Sequence, residues 1–286
     1  LVEDLAFRKF LSFLEEDIPF WDTTTEAIVP GDAKVRAKVI VKESCIVACV
    51  DDIAAFLRKL GLEVEQLAKD GDPVEGGSTL LEISGPARVV LSVERVVLNL
   101  LMHCSGVATA TRRLIDALRE VNSRVRVAAT RKTMPGLRYF EKRAVAAGGG
   151  DTHRLSLSDA ILIKDNHLRL VGDIGRAVRL AKERASFIHK VEVEVSSAEE
   201  AVEAAESGAD VVMLDNMRPE DVARVLEELR RRGLRDRVIV EVSGGINYEN
   251  AWEYAKLDID VMSCSFITMS SKAVDMSLEV SEVIDE

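Results

Sequence analysis

The sequence predicts an α/β protein: an α+β segment of about a hundred residues, then a run of parallel strands and helices. Three observations carry this. Apolar residues make up 47% of the 286 residues and charged residues 30%, enough for a sizeable core and too apolar for a disordered chain. The first hundred residues mix strands and helices without a regular repeat, which reads as α+β. After residue 124, short β-branched runs alternate with amphipathic segments, the signature of βαβ units.

In chain order, residues 2–16 have helical spacing (Leu5, Phe10, Leu14) and stop before Pro19. Val35 to Lys42 alternates apolar and cationic residues, as a half-buried strand does. A helix is expected from Asp51 to about Gly61. The turn-rich stretch Asp70–Gly77 separates strands near 63–67 and 79–83. Two apolar helices are expected at 87–103 and 106–121. The longest uncharged stretch, Val96–Thr111, is sixteen residues and holds Asn99, His103 and Ser105, so it reads as core helix and not as a membrane span. Six strands follow at 125–130, 160–163, 190–195, 210–214, 238–242 and 259–263, with helices at 136–147, 171–184, 197–207, 219–232 and 247–256. An incomplete barrel and an open doubly wound sheet both fit six strands. No strand is followed by G-x-G-x-x-G, which weighs against a dinucleotide fold.

Charge narrows the function. A net charge of −11 disfavours nucleic-acid binding. Yet between Arg124 and Arg154 eight Lys/Arg stand against only Glu141 and Asp151, which suits a local site for an anionic small molecule. Glu3, Asp4 and Arg8 occupy the place of a basic, apolar leader, so no secretory signal and a cytoplasmic location are expected. Cys45, Cys49, Cys104 and Cys264 have no histidine spacing that would complete a zinc set and are expected to be reduced and buried.

In parallel α/β folds chemistry collects at the carboxyl ends of strands. Here those ends read Thr130-Arg131-Lys132, Lys164-Asp165-Asn166-His167, Asp215-Asn216, Ser243-Gly244-Gly245 and Ser263-Cys264-Ser265, with Glu192 and Glu194 on one face of a strand between them. Glycines before a helix suit a phosphate, and so does an ordinary left-handed turn. Glu194 and Asp215 fit a Mg²⁺ ion or a sugar hydroxyl, or an ion pair with Lys132 or Lys164. Gly148–Gly150 reads as a helix C-cap, and His153-Arg154 as an anion contact.

The run Thr130-Arg-Lys-Thr-Met-Pro-Gly-Leu-Arg138, with Lys142, Gly148–Gly150, His153-Arg154 and Leu162-Ile-Lys-Asp-Asn-His167, strongly resembles the quinolinate phosphoribosyltransferase family. Glu94-Arg95, Leu98-Asn99, Leu214-Asp-Asn216 and Ser243-Gly-Gly-Ile246 extend the match over nearly the whole chain. The resemblance implies an N-terminal α+β open sandwich over 1–107, joined by a C-terminal return at 268–286, and an incomplete, about seven-stranded α/β barrel over 108–267. It implies transfer of phosphoribose from phosphoribosyl pyrophosphate to quinolinate with Mg²⁺, releasing pyrophosphate and CO₂ and giving nicotinate mononucleotide for NAD biosynthesis. Arg131, His153, Arg154 and Lys164 would bind the quinolinate carboxylates, and Arg95 would come from a partner subunit. Lys132, Glu194 and Asp215 would serve the phosphoribosyl group and its metal. Ser243, Gly244 and Gly245 would hold a phosphate, with Ser265 standing where the family has glycine. The implied assembly is a homodimer with shared sites, or a hexamer, with neither nucleic acid nor membrane as partner. Alternatives are a nicotinate phosphoribosyltransferase without decarboxylation and a Schiff-base lyase using Lys164.

Overall fold

The structure is a computed structural model and describes residues 2–284. The chain divides into two compact units, one formed by residues 1–112, 134–149 and 270–286 and the other by 113–133 and 150–269.

The first unit begins with helices α1 (Val2–Asp17) and α2 (Thr23–Ile28), the latter capped by Asp22, whose carboxylate accepts the Thr25 N–H at 3.0 Å. Strand β1 (Lys34–Val41) buries Val35, Ala37, Val39 and Val41 on one face, the alternation visible in the sequence. β2 (Cys45–Ile46) leads into α3 (Val50–Lys59), followed by β3 (Glu63–Gln66), β4 (Pro73–Val74) and β5 (Thr79–Pro86). Cys49, at the α3 N-cap, gives no side-chain cap; Asp70 takes that role, accepting the Val50 N–H at 2.8 Å. Phe10, Phe56 and Phe140 form a fully buried aromatic cluster at the centre of this unit.

Where two helices were expected at 87–103 and 106–121, one unbroken helix α4 (Ala87–Arg119) runs 33 residues. Gly106 lies where the second helix was expected to begin. Its hydrogen instead lets the helix backbone approach that of Lys272: a Cβ there would lie 2.3 Å from the Lys272 carbonyl oxygen. By length and composition α4 passes as a membrane span. Val97, Leu98, Leu101, Cys104, Ser105, Val107 and Ala108 are nonetheless buried within the protein, and α4 is a core helix.

The second unit holds β6 (Arg126–Ala128), β7 (Ile161–Ile163), β8 (Val191–Val195), β9 (Val211–Asp215), β10 (Ile239–Ser243) and β11 (Val261–Ser263). All pair in parallel, in the order β6-β11-β10-β9-β8-β7. Asp151 adds a one-residue parallel bridge to Ala128 on the free side of β6. That bridge is the seventh position the sequence did not show, because a single paired residue leaves no periodicity. Helix α5 (Arg138–Ala147) belongs to the first unit although it follows β6 in the chain. Among the crossovers, α6 (Asp165–Val171) and α7 (Ile174–Arg184) precede β8, α8 (Ala198–Glu206) precedes β9, and α9 (Pro219–Arg231) precedes β10. α10 (Ala251–Ala255) and the short α11 (Phe266–Met269) complete the unit. The chain then returns to the first unit as β12 (Met276–Ile284), antiparallel to β1 in a sheet ordered β12-β1-β5-β3.

Candidate active site

The carboxyl ends of the parallel strands surround a cavity of about 270 Å³. Thr130, Arg131 and Lys132 enter after β6, His153 and Arg154 after the Asp151 bridge, and Lys164 after β7. Glu194 comes from β8, Met213 and Asp215 from β9, Glu241 and Ser243 from β10, and Ser263 from β11. Seven residues chosen from sequence as chemistry-bearing therefore meet with Ser243 in one space. Gly244, Gly245 and Ser265 do not line it, and Arg95 lies on α4 in the other unit, beside a separate cavity of about 230 Å³ with Phe13, Asp17, Asn99 and Leu137.

Local structure explains how the side chains are held. Lys164 is the N-cap of α6, a helix absent from the sequence reading, and donates its N–H to His167 Nδ1 at 2.9 Å. Its ammonium is bonded to the Glu194 carboxylate. An ammonium so bound has no lone pair to offer a carbonyl, which weighs against the Schiff-base alternative. Lys132 donates its N–H to Thr130 Oγ1 at 3.0 Å, and its carbonyl accepts from Thr268 Oγ1 at 2.8 Å. Asp215 accepts from the neighbouring Asn216 amide at 2.5 Å.

The Ser243-Gly-Gly turn differs from expectation in one respect. Helix α10 begins only at Ala251, so the glycines do not form a helix N-terminus. Gly244 has φ +91°, and a Cβ there would lie 2.8 Å from the backbone nitrogen of Asn216. The turn must be glycine for packing and conformation before any ligand is considered. Gly149, at φ +90°, ends α5 as a C-cap glycine should, and Gly148 closes against the Ala108 carbonyl.

His153 and Arg154 form the most constrained part of the wall. His153 has φ +50°, a left-handed conformation uncommon outside glycine, and its N–H donates to Asp151 Oδ1 at 2.7 Å. Its Nδ1 accepts the Arg154 N–H at 2.7 Å. Its Nε2 lies 3.3 Å from Glu241 Oε2 and 3.6 Å from Glu192 Oε2. Burial disfavours the charged ring, but hydrogen bonds to Glu192 and Glu241 outweigh it and raise His153 to about 10. A second ring proton, however, would have to expel the Arg154 N–H from Nδ1. That competition favours a ring carrying its proton at Nε2 alone. Burial likewise raises Glu192, against the pull of the His153 bond. Burial pulls Arg154 below the usual arginine range, with neighbouring Arg131 acting the same way and Glu192 opposing.

Among the described residues, buried polar atoms at this wall without a hydrogen-bond partner include Arg154 Nε, Glu192 Oε1, Glu241 Oε1 and Ser263 Oγ. Glu241 was missed in the sequence, and Ser263 was read only as part of a polar strand end. Glu241 had a readable signal, a lone charge between Val240 and Val242 in an otherwise apolar strand. Oxygen donors from Glu194 and Asp215 on the same cavity fit a hard cation such as Mg²⁺.

Two family models match the chain: the Quinolinate phosphoribosyl transferase N-terminal domain over residues 22–105 and its C-terminal domain over residues 107–279. The chain is 49% identical over 267 residues to a probable nicotinate-nucleotide pyrophosphorylase (carboxylating) of Methanothermobacter thermautotrophicus, covering 93% of this chain and 96% of that protein. It is 37% identical over 269 residues to the human nicotinate-nucleotide pyrophosphorylase (carboxylating), covering 94% and 89% respectively. Among solved structures, the nicotinate-nucleotide pyrophosphorylase of Francisella tularensis superposes with a TM-score of 0.89 at 35% identity, covering 98% of this chain and 97% of that one.

Proposed function

The chain belongs to the quinolinate phosphoribosyltransferase family, and from that premise we propose which of its residues perform the reaction. Its activity is that of a nicotinate-nucleotide pyrophosphorylase in NAD biosynthesis. The word carboxylating in its relatives' names describes the reverse direction; toward nicotinate mononucleotide, the same reaction loses CO₂.

The observation that carries the assignment is the Arg131–Arg154 pair on one cavity wall, with the buried Arg154 Nε lacking a partner. A partly buried guanidinium with an unmade hydrogen bond is a receptor for a planar anion, and a second guanidinium on the same wall suits a dicarboxylate. Arg131 and Arg154 bind the two carboxylates of quinolinate, and His153 shapes the wall between them. Lys164 exchanges Glu194 for a substrate carboxylate. Arg95, more than half exposed, is supplied from a partner subunit. Phe20, Trp21 and Ile28, exposed on the first unit, support a face covered in a homodimer or a larger assembly of dimers. The enzyme works in the cytoplasm, where its four buried, free thiols remain reduced.

The pyridine nitrogen attacks C1′ of the phosphoribosyl donor as the bond to pyrophosphate breaks. Positive charge develops on the sugar, and the carboxylates of Glu194 and Asp215 stabilise it. Lys132 neutralises the departing phosphates, and Ser243, Gly244, Gly245 and Ser265 hold the 5′-phosphate side of the sugar. Mg²⁺, held by Glu194 and Asp215, would supply charge compensation for the pyrophosphate oxygens. Once the ring nitrogen is alkylated, the C2–carboxylate bond breaks. CO₂ leaves, the electron pair stays at C2 beside the cationic nitrogen, and a proton at C2 completes nicotinate mononucleotide. Arg131, Arg154 and Lys164 stabilise the charge on C2.

The test is incubation with phosphoribosyl pyrophosphate, Mg²⁺ and either quinolinate or nicotinate. Quinolinate yields pyrophosphate and CO₂; pyrophosphate release from nicotinate at a similar rate would refute the dicarboxylate assignment. In the same assay, inactive Arg95→Ala and Arg131→Ala proteins, mixed and allowed to exchange subunits, recover about a quarter of wild-type activity if the site is shared.

A further inference from the structure

Glu192 and Glu241 have no role in the reaction as assigned above, yet both are almost fully buried, at 4% and 2% exposure. They point inward from β8 and β10, and each leaves Oε1 without a partner. Burying two carboxylates around one imidazole is costly, and a floor needed only for packing would be apolar. Their Oε2 atoms converge on His153 Nε2 at 3.3 and 3.6 Å. The opposite ring nitrogen accepts the backbone N–H of Arg154. The imidazole is thus clamped between the strand floor and the Arg154 backbone, on a residue already held in a left-handed conformation. Beyond that backbone the Arg154 side chain lines the cavity, its Nη1 braced on the Ala160 carbonyl at 3.2 Å.

The three residues also have the spacing of a metal site. A metal on Nε2 would require the ring proton at Nδ1, where the Arg154 N–H already points. The geometry therefore favours a proton at Nε2 shared with the carboxylates.

We propose that Glu192 and Glu241 are positioning residues for the dicarboxylate half of the site, acting through His153 to fix the direction of the Arg154 guanidinium. The proposal rests on the reading of Arg154 as a quinolinate ligand. In this role Glu192 and Glu241 act through His153 and need no contact with the substrate. They accept the Nε2 proton, the ring accepts the Arg154 N–H, and Arg154 enters the cavity already aimed, so that quinolinate binding does not have to order it.

The experiment compares Glu241→Ala, Glu241→Gln and Arg154→Ala in steady-state kinetics with both substrates varied. Glu241→Ala should raise the KM for quinolinate about tenfold or more, with kcat and the KM for phosphoribosyl pyrophosphate within about threefold of wild type. Glu241→Gln should recover most of that loss, because an amide oxygen still accepts the Nε2 proton. An unchanged quinolinate KM in Glu241→Ala, or a Gln variant no better than Ala, overturns the proposal. If Arg154→Ala leaves the quinolinate KM unmoved, the underlying ligand assignment has failed; if only Glu241→Ala does so, this proposal alone has failed.

A second readout is independent of turnover. The chain has only four histidines, so ¹⁵N-imidazole spectra can be assigned with one His153 variant. The expected signal is an Nε2-protonated ring, retained in Glu241→Gln. Should Glu241→Ala fail to fold, this spectrum decides the matter: Nδ1 protonation in the wild type, or loss of the Nε2 tautomer in Glu241→Gln, overturns the clamp. Stoichiometric Zn²⁺ or Mn²⁺ binding that disappears in Glu241→Gln but persists in Glu194→Ala would make the triad a metal site and overturn it as well.

Discussion

The two ends of the parallel sheet are both densely charged, and they are built in opposite ways. At the amino ends of the strands a cavity of about 530 Å³ is lined by Arg124, Lys190, Asp210, Arg235, Asp258 and Asp260 among others. Its buried member, Arg235, donates to the Asp258 carbonyl at 2.7 and 3.0 Å and pairs with Asp260 at 3.0 Å. Asp260 in turn accepts the Val240 N–H at 2.8 Å, and Asp210 accepts the Val191 N–H at 2.7 Å. Among the described residues no buried polar atom there lacks a partner, whereas Arg154 Nε, Glu241 Oε1 and Ser263 Oγ, on residues lining the smaller cavity at the carboxyl ends, do. The difference teaches that charge density alone does not mark a site. Charge that the fold leaves unsatisfied does.

Substitutions at the two ends should therefore fail in different ways. The largest effect is expected at the carboxyl end. Glu194→Ala or Asp215→Ala should lower kcat about a thousandfold, ~4 kcal/mol of barrier, because the sugar charge they stabilise exists mainly in the transition state. Quinolinate KM and the melting temperature should move little. Retention of wild-type kcat with only quinolinate affinity lost would show that these carboxylates serve the wrong substrate in the present account.

At the amino end, Arg235→Ala should reverse the pattern. It removes the donor to two backbone carbonyls and the partner of Asp260, and should cost about 3 kcal/mol of stability in denaturant unfolding. Activity per folded molecule should stay unchanged. A fall in kcat without a fall in stability would break the distinction between the ends.

The sequence made the carboxyl end legible because buried parallel strands read as apolar runs, so a sudden Arg-Lys, Lys-Asp-Asn-His or Asp-Asn marks where each run stops. Strand positions could be read for the same reason. Other features were invisible because their cause is long-range. Gly106 looks like a helix breaker until the Lys272 carbonyl is seen against it. Asp151 pairs through a single residue, and the orphan atoms of Glu192 and Glu241 exist only once strands and His153 are assembled. Lys164 read as a loop residue because α6 has no buried residue and so no apolar face.

A third charged cluster, in the first unit, lies between the two extremes and should give the smallest effect. Asp70 caps α3 and pairs with Arg143 at 3.4 Å, yet burial, with the Asp51 charge, raises its carboxyl to about 6. A carboxyl whose folded pKa exceeds its unfolded value near 4 stabilises the fold below that value; the gain is lost as pH rises through about 6. Asp70→Asn keeps an oxygen for the Val50 N–H and carries no charge. It should therefore unfold about 1 kcal/mol later than wild type at pH 7, with the advantage vanishing below pH 4. A variant less stable than wild type at pH 7 would mean that the cap needs its charge.

The most direct test of the central claim, that unsatisfied rather than abundant charge makes the site, is calorimetric titration of quinolinate into three proteins at a temperature where all are folded. Wild type and Arg235→Ala should bind with the same affinity, while Arg154→Ala should bind at least a hundredfold more weakly. Equal weakening in Arg154→Ala and Arg235→Ala, or full affinity in Arg154→Ala, would contradict it.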